Sequence, residues 1–276
     1  MTEPATGWAG TETATRYATF AASHPMYRET SRDLIARAEL HAGSRVLDLC
    51  AGTGVTTTAL LDALGPQGRV VALDGSAAML DQARQQVIDP RVTWVQARAE
   101  DVADVVPEPC DAVVCNSAIW QTDMSATFAG IRQVLRPGGT FVCNIGRMFL
   151  IMPFSKEELQ RTKPGLFDLM QAIAVLDHGY VAPGGPRGGR PLTPSGVNEL
   201  LAATGLVPAK PEVVAYDQSH EQYKAWLKIP IFTERMFPGL AYETRMAILD
   251  AAFDRLDKAV PPAPTSWVIF RAKAVA

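Results

Sequence analysis

From Arg45 to Gly146 the chain repeats one alternation: a short β-branched run, a glycine- or proline-bearing turn, then about ten residues with an apolar stripe at helical spacing. The runs are Val46–Leu49, Val70–Leu73, Val92–Val95, Ala112–Cys115 and Thr140–Ile145. Between them the spacing predicts helices over Thr56–Leu64, over the stretch that Ser76 caps, with Met79, Leu80, Ala83 and Val87 on one face, and over Thr127–Leu135. Strands joined through helices make right-handed crossovers, so the pattern restricts the chain to an α/β fold with a mainly parallel sheet covered on both faces.

The rhythm changes outside that span. Residues 1–40 read as an N-terminal lid, a loose polar arm as far as residue 15 and a helix over Thr30–Glu39. Residues 41–146 form the ligand-binding core. After Gly146 the chain becomes rich in Pro, Gly, Met and Phe, and the segment "PGGPRGGRP" (183–191) reads as a hinge, since no GK[ST] follows it and no strand precedes it. A helix over Thr193–Ala203, a strand over Val207–Tyr216 and a closing strand over Trp267–Ala272 complete the core, residues 192–216 and 263–276. The pieces 147–191 and 217–262 are then insertions. Ligands of open α/β sheets bind at the carboxyl ends of the strands, so both are expected to cap that crevice within a single domain.

Bulk properties exclude several classes. A net charge of −3 gives no electrostatic grip on a phosphate backbone, so no nucleic-acid partner is expected. Cys50, Cys110, Cys115 and Cys143 form no CxxC pair, which argues against a zinc or redox site and for reduced thiols in a cytoplasmic protein. No metal is expected. The amino terminus lacks an apolar secretion signal, and the greasiest stretch, "MFLIMPF", is too short to span a bilayer.

The stretch "VLDLCAGTGVTTTALL" (46–61) narrows the ligand. A dinucleotide site would place a third glycine where Thr57 stands, and Asp48 at the strand end would repel a pyrophosphate. A carboxylate there suits a cationic amine. S-adenosylmethionine has such an ammonium on its methionyl tail and no phosphate. Asp74 ends the next strand 20 residues beyond Gly54, the spacing at which an acidic side chain accepts hydrogen bonds from ribose hydroxyls.

The motifs "VLDLCAGTG" (46–54), "VVALDGSAAMLDQAR" (70–84), "VQARAED" (95–101), "CDAVVCNSAIWQ" (110–121) and "LRPGGTFV" (135–142) come in register. In these the chain resembles class I S-adenosylmethionine-dependent methyltransferases of the ubiquinone/menaquinone-biosynthesis and small-molecule type. The resemblance implies a Rossmann-like, doubly wound, seven-stranded sheet with helical cap insertions. It implies that Asp48, Gly52 and Gly54 surround the methionyl tail, Asp74 meets the ribose, and Gly75 and Met79 lie near the adenine face. Ala99 and Glu100 would fall at the adenine edge, Asn116 under the sulfonium, and Tyr17 over the cofactor as a lid. Met79 and Tyr17 read equally well as core packing on their own helices. Three positions depart from the family pattern: Cys50 stands where glycine is usual, Arg98 where aspartate is frequent, and Trp120 where many relatives have histidine.

The expected reaction is in-line transfer of the methyl group to a small, largely apolar metabolite, to oxygen first, then carbon or nitrogen, with S-adenosylhomocysteine as product. Candidate bases come from the cap: His178, Tyr180 and His220. Arg147, Arg187, Arg190 and Arg235 could anchor a substrate carboxylate. Two alternatives stay open at this point. The fold could use the cofactor without methylation, for cyclisation or rearrangement, or the chain could be a nicotinamide-dependent dehydrogenase. Monomer and homodimer are both compatible with the sequence.

Overall fold

Central strands of a parallel sheet are covered on both faces and therefore read as continuous apolar runs rather than alternations. The first such run, β1 (Arg45–Leu49), is buried from Val46 onward. It pairs in parallel with β2 (Arg69–Asp74) on one side and β4 (Cys110–Cys115) on the other. β3 (Val92–Gln96) extends the sheet beyond β2, and β5 (Leu135–Gly146) beyond β4. β8 (Thr265–Ala274) then runs antiparallel to β5. The computed structural model describes residues 7–153, 165–183, 192–258, 262 and 264–275.

β6 (Leu206–Pro208) and β7 (Glu212–Tyr216) both pair antiparallel with β8, β6 at Ala272–Ala274 and β7 at Thr265–Ile269. The single strand expected over Val207–Tyr216 is therefore two. Pro208 and Pro211 bracket the break, because proline supplies no ladder N–H and restricts its neighbour. β6 and β7 follow one another along the same edge of β8, so eight strands fill seven positions in the order β3-β2-β1-β4-β5-β8-β6/β7.

Side chains alternate across the sheet. Val46, Val70, Ala112, Val114, Val142 and Ile269 face Leu34 and Ala38 at α2 (Met26–Arg37) and Leu60 and Leu61 of α3 (Val55–Ala63). Phe141 points the other way, its ring 5.6 Å from Phe128. The helices α4 (Ala77–Gln86), α5 (Val102–Val105), α6 (Met124–Val134), α7 (Leu166–His178) and α8 (Pro194–Ala203) follow in chain order. Ser76 caps α4 as expected, accepting from the Met79 N–H at 3.2 Å.

Two expectations at the amino end need correction. Residues 7–15 are not a loose arm. A single turn at Gly7–Ala9 leads into α1 (Thr11–Ser23), which buries Ala14, Ala18 and Ala21. Alanine favours the helix and threonine does not, and what holds α1 is the narrow face that buries Thr13, Ala14, Ala18, Phe20 and Ala21. The next helix starts at Met26 rather than Thr30 and ends at Arg37, since Glu39 takes a left-handed backbone (φ 55°).

By internal packing the chain divides into two compact units, Met1–Ile151 with Pro191–Tyr216 and Thr265–Ala276, and Met152–Arg190 with Asp217–Pro264. The second contains α7, α9 (His220–Leu227), α10 (Pro230–Met236) and α11 (Tyr242–Arg255). Its core is made of Leu166, Met170, Ile173, Leu227, Phe237, Ile248 and Leu249, all buried. Much of the apolar content after Gly146 is thus this unit's own core. The hinge residues from 184 to 191, with Arg187 and Arg190, lie outside the described residues.

Candidate functional site

The order of the sheet reverses between β1 and β4, and a crevice for ligand opens at the carboxyl ends of strands at such a point. Asp48 stands near the end of β1, and Asn116 directly follows β4. Between β1 and α3 the chain turns through Cys50–Gly54 with left-handed backbone at Cys50 (φ 58°), Gly52 (φ 55°) and Gly54 (φ 85°). Glycine at 54 has a second cause, as a Cβ there would come within 3.2 Å of Val87 and 3.3 Å of Trp94. Cys50 holds the same conformation with a side chain, at a strain of about 1–2 kcal/mol.

Asp48 is 1% exposed. Its Oδ2 accepts from the Thr57 hydroxyl at 2.5 Å, while Oδ1 is buried without a hydrogen-bond partner. Burial pushes its pKa up to about 7, against the opposing effect of the Thr57 hydroxyl, and Asp74 adds to the rise. Among the described residues no cation offsets it. A buried carboxylate oxygen with no donor is an expensive feature in an apolar setting. It fits a ligand that brings a cationic donor. The hydroxyl of Thr53, in the same turn, is likewise buried and unpaired.

Asp74 uses both oxygens on backbone N–H groups, Oδ2 on Gly52 and Oδ1 on Ser76, each at 2.8 Å. Burial raises its pKa although those two bonds oppose the rise. The carboxylate therefore shapes the glycine turn and still has lone pairs to offer the crevice. Gly75 is exposed and Met79 is buried on the inner face of α4. Ala99 is buried. Glu100 takes the Asp123 N–H on Oε1 at 2.8 Å and the Arg98 Nε–H on Oε2 at 3.2 Å, so Arg98 replaces an acidic neighbour with an ion pair.

Asn116 is a hub. Its amide nitrogen lies within 3.0–3.4 Å of Tyr27 O, Thr30 Oγ1, Ser31 Oγ and Thr56 Oγ1, which ties the end of β4 to α2 and α3. Its Oδ1 accepts from Ser117 Oγ at 3.1 Å. Ser117 has a left-handed backbone (φ 60°), donates its N–H to Asn144 Oδ1 at 2.6 Å and accepts from Trp267 Nε1 at 2.9 Å. Trp120 donates to Ser117 O and stacks on Phe149, with ring centroids 3.9 Å apart.

The amino-terminal segment closes over this turn. The Tyr17 ring stands 3.9 Å from where a Cβ on Gly52 would be, and packs on Tyr27 at 5.0 Å. Burial, then Tyr27, Asp74 and Asp48, raise the Tyr17 pKa. Trp8 was not visible as a site residue. Its carbonyl accepts from Ser76 Oγ at 2.8 Å, its Nε1 donates to Gln121 Oε1, and its ring meets Tyr17 edge-on at 5.8 Å. The only available sign is a lone tryptophan ahead of an alanine-rich helix.

The candidate bases lie in the second unit. His178 is exposed at the end of α7. Gly179 turns the chain left-handed (φ 62°), so Tyr180 points inward, 5.6 Å from Phe237, with its hydroxyl 3.5 Å from Pro238 O. His220 opens α9 beside Ser219, which caps that helix, and its ring meets Phe253 edge-on at 6.4 Å. Among the described residues no cluster of His, Cys, Asp and Glu could hold a metal, and no helix is long and apolar enough to cross a membrane.

Known proteins share the core sequence and the fold. A family profile described as a methyltransferase domain matches residues 46–139. The chain is 30% identical over 243 residues to trans-aconitate 2-methyltransferase of Methylobacterium radiotolerans, 83% of this chain and 84% of that protein. With the enzyme of the same name from Azoarcus sp. (strain BH72) it is 36% identical over 136 residues, 49% of this chain and 51% of the relative, so that match spans about half the relative's length. Phosphoethanolamine N-methyltransferase 2 of Haemonchus contortus, in complex with phosphomonomethylethanolamine and S-adenosylhomocysteine, shares the fold at TM-score 0.57 and 16% identity, over 99% of this chain and 61% of that one. The glycine turn, the two strand-end carboxylates and the relative matched over most of its length lead to one assignment: the chain belongs to the class I S-adenosylmethionine-dependent methyltransferases.

Proposed function

We propose that this protein transfers a methyl group from S-adenosylmethionine to an oxygen of a small, largely apolar metabolite. The observation that carries the reading is Asp48, a buried carboxylate with one unpartnered oxygen and, among the described residues, no cation acting on it. The bound cofactor would supply an electrophilic methyl on sulfur. Asp48 would receive the ammonium of its amino-acid tail, Asp74 the ribose hydroxyls, and Gly52 and Gly54 would let the backbone approach closely. Ala99, Glu100, Gly75 and Met79 would border the adenine, with Asn116 bracing the floor near the sulfonium. Tyr17, with Trp8 behind it, would exclude water from the turn.

Methyl transfer needs the acceptor held in line, and orientation alone can supply on the order of 7–11 kcal/mol of the barrier. A carboxylate oxygen is already anionic and needs no base. The trans-aconitate 2-methyltransferase relative supports an acid of that kind as acceptor. For a hydroxyl acceptor, His220 is the candidate base. Exposed Met148 and Ile151, just beyond the end of β5, support an apolar body on the acceptor.

Product mass tests the proposal. Incubation with S-adenosylmethionine and a panel of small organic acids should give a product heavier by one CH2, with release of S-adenosylhomocysteine. A product of unchanged mass and no released S-adenosylhomocysteine would favour cyclisation. Affinity for a nicotinamide dinucleotide over S-adenosylhomocysteine would overturn the cofactor assignment.

A further inference from the structure

We propose that Thr57 is a positioning residue for the cofactor's amino-acid tail, its hydroxyl holding Oδ2 of Asp48 so that Oδ1 alone is offered to the ammonium. The inference rests on the reading of Asp48 given above. Thr57 stands where a dinucleotide-type turn would have its third glycine, and is fully buried in the first turn of α3. Its hydroxyl carries one hydrogen, and the 2.5 Å contact with Asp48 uses it. The backbone N–H of Thr57 acts on the same carboxyl in the same direction.

The other groups that face Asp48 all work against its charge. Asp74, at the end of β2, raises its pKa, as does burial. Tyr17, from α1, and Cys50, in the turn, each feel Asp48 as a charge that makes their own ionisation harder. None of these is basic. The Thr57 hydroxyl is therefore the hydrogen-bond donor that opposes the rise and holds Oδ2. The hydroxyl also takes Oδ2 out of play, which fixes the direction in which a cation can approach.

Below neutrality, binding of an ammonium to Asp48 requires loss of its proton, so association should release a proton to the buffer. Removing the hydroxyl while keeping the volume, as in Thr57→Val, should raise the pH at which the carboxyl ionises. The experiment is calorimetric titration of S-adenosylhomocysteine into the full chain across the pH range, in two buffers of different ionisation enthalpy. The proteins compared are wild type, Thr57→Val, Thr57→Ser and Asp48→Asn.

The acid limb of the affinity profile is expected to move up by about one pH unit in Thr57→Val, which is about a tenfold loss of affinity near pH 6. At about pH 8.5 the two profiles should converge within a few-fold, and Thr57→Ser should match wild type. 5′-Methylthioadenosine, which lacks the amino-acid tail, should bind Thr57→Val as well as it binds wild type. An unshifted acid limb in Thr57→Val, with affinity lost in Asp48→Asn, overturns the role of Thr57 and leaves the Asp48 reading standing. Equal loss of 5′-methylthioadenosine overturns it too, by making the hydroxyl merely structural. Unchanged affinity in Asp48→Asn removes the Asp48 reading itself, and this inference with it.

Discussion

The β1 turn and the second compact unit are both largely buried, yet they solve opposite problems. In the turn, Asp48, Thr57, Asp74 and Gly52 form a polar network in which one carboxylate oxygen is left over. In the second unit, helices with apolar faces bury one another, and Phe237, Ile248 and Leu249 are fully enclosed. The turn gives up stability to keep that oxygen open to a cationic group. The helical unit spends its residues on holding together. A strong local motif therefore marks where a site must be, whereas an apolar composition marks only that something is buried.

The comparison can be broken most directly at Phe237. Its replacement by alanine should remove about 3–5 kcal/mol from the stability of the second unit, as deletion of a fully buried aromatic does. Calorimetric affinity for S-adenosylhomocysteine should survive at temperatures where the variant is folded. Loss of that affinity would mean that the turn is not self-sufficient.

Asp48→Ala probes the other side. A charge-assisted bond is worth about 1.5–3 kcal/mol, so binding of S-adenosylhomocysteine should weaken by roughly ten- to a hundredfold while the urea midpoint is held or raised. An equal fall in stability and affinity would make Asp48 a structural residue.

The same carboxyl sharpens the contrast through pH. Its folded pKa is about 7 against an ordinary 3.8, so ionising it in the folded chain costs stability. That penalty is complete above about pH 7 and disappears as the pH falls toward the ordinary value. Asp48→Asn should accordingly stabilise the ligand-free chain by about 1–3 kcal/mol at pH 8, with the gain vanishing near pH 4. A gain that is the same at both pH values would show that charge is not its source.

The smallest effect is expected at the lid. Trp8→Ala removes the indole bond to Gln121 and the edge contact with Tyr17, and leaves the carbonyl that accepts from Ser76. Affinity for S-adenosylhomocysteine should fall by about 0.5–1.5 kcal/mol, mainly through faster dissociation in stopped-flow traces. An unchanged off-rate would separate Trp8 from the site.

What could be read in advance follows the same division. The β1 to β4 strands and the Ser76 cap are local patterns that the sequence places within two residues, whereas β5 starts at Leu135 instead of Thr140 and α6 at Met124 instead of Thr127. Thr57 was visible only as a missing glycine. Its partner is nine residues earlier, and nothing in linear spacing announces that a side chain will reach back under the strand. Asn116 reads as a strand-end polar residue, but its four oxygen neighbours come from α2 and α3, which packing alone brings there. The helix α1 was missed because alanine and threonine look like a tail unless their spacing is counted. The break between β6 and β7 was written in Pro208 and Pro211 and overlooked.

The placing of β8 matters for how the chain is made. It is the last strand in chain order, yet it lies between β5 and the β6/β7 edge. Roughly 120 residues separate the end of β5 from the start of β8, which at about 5–20 residues per second is on the order of 6–24 s of synthesis. Throughout that interval a nascent β5, bearing Phe141, Val142, Cys143 and Ile145, offers an open apolar edge to any neighbouring strand. A ribosome stalled before Thr265 would thus release a sticky template for aggregation, not a slightly shortened protein.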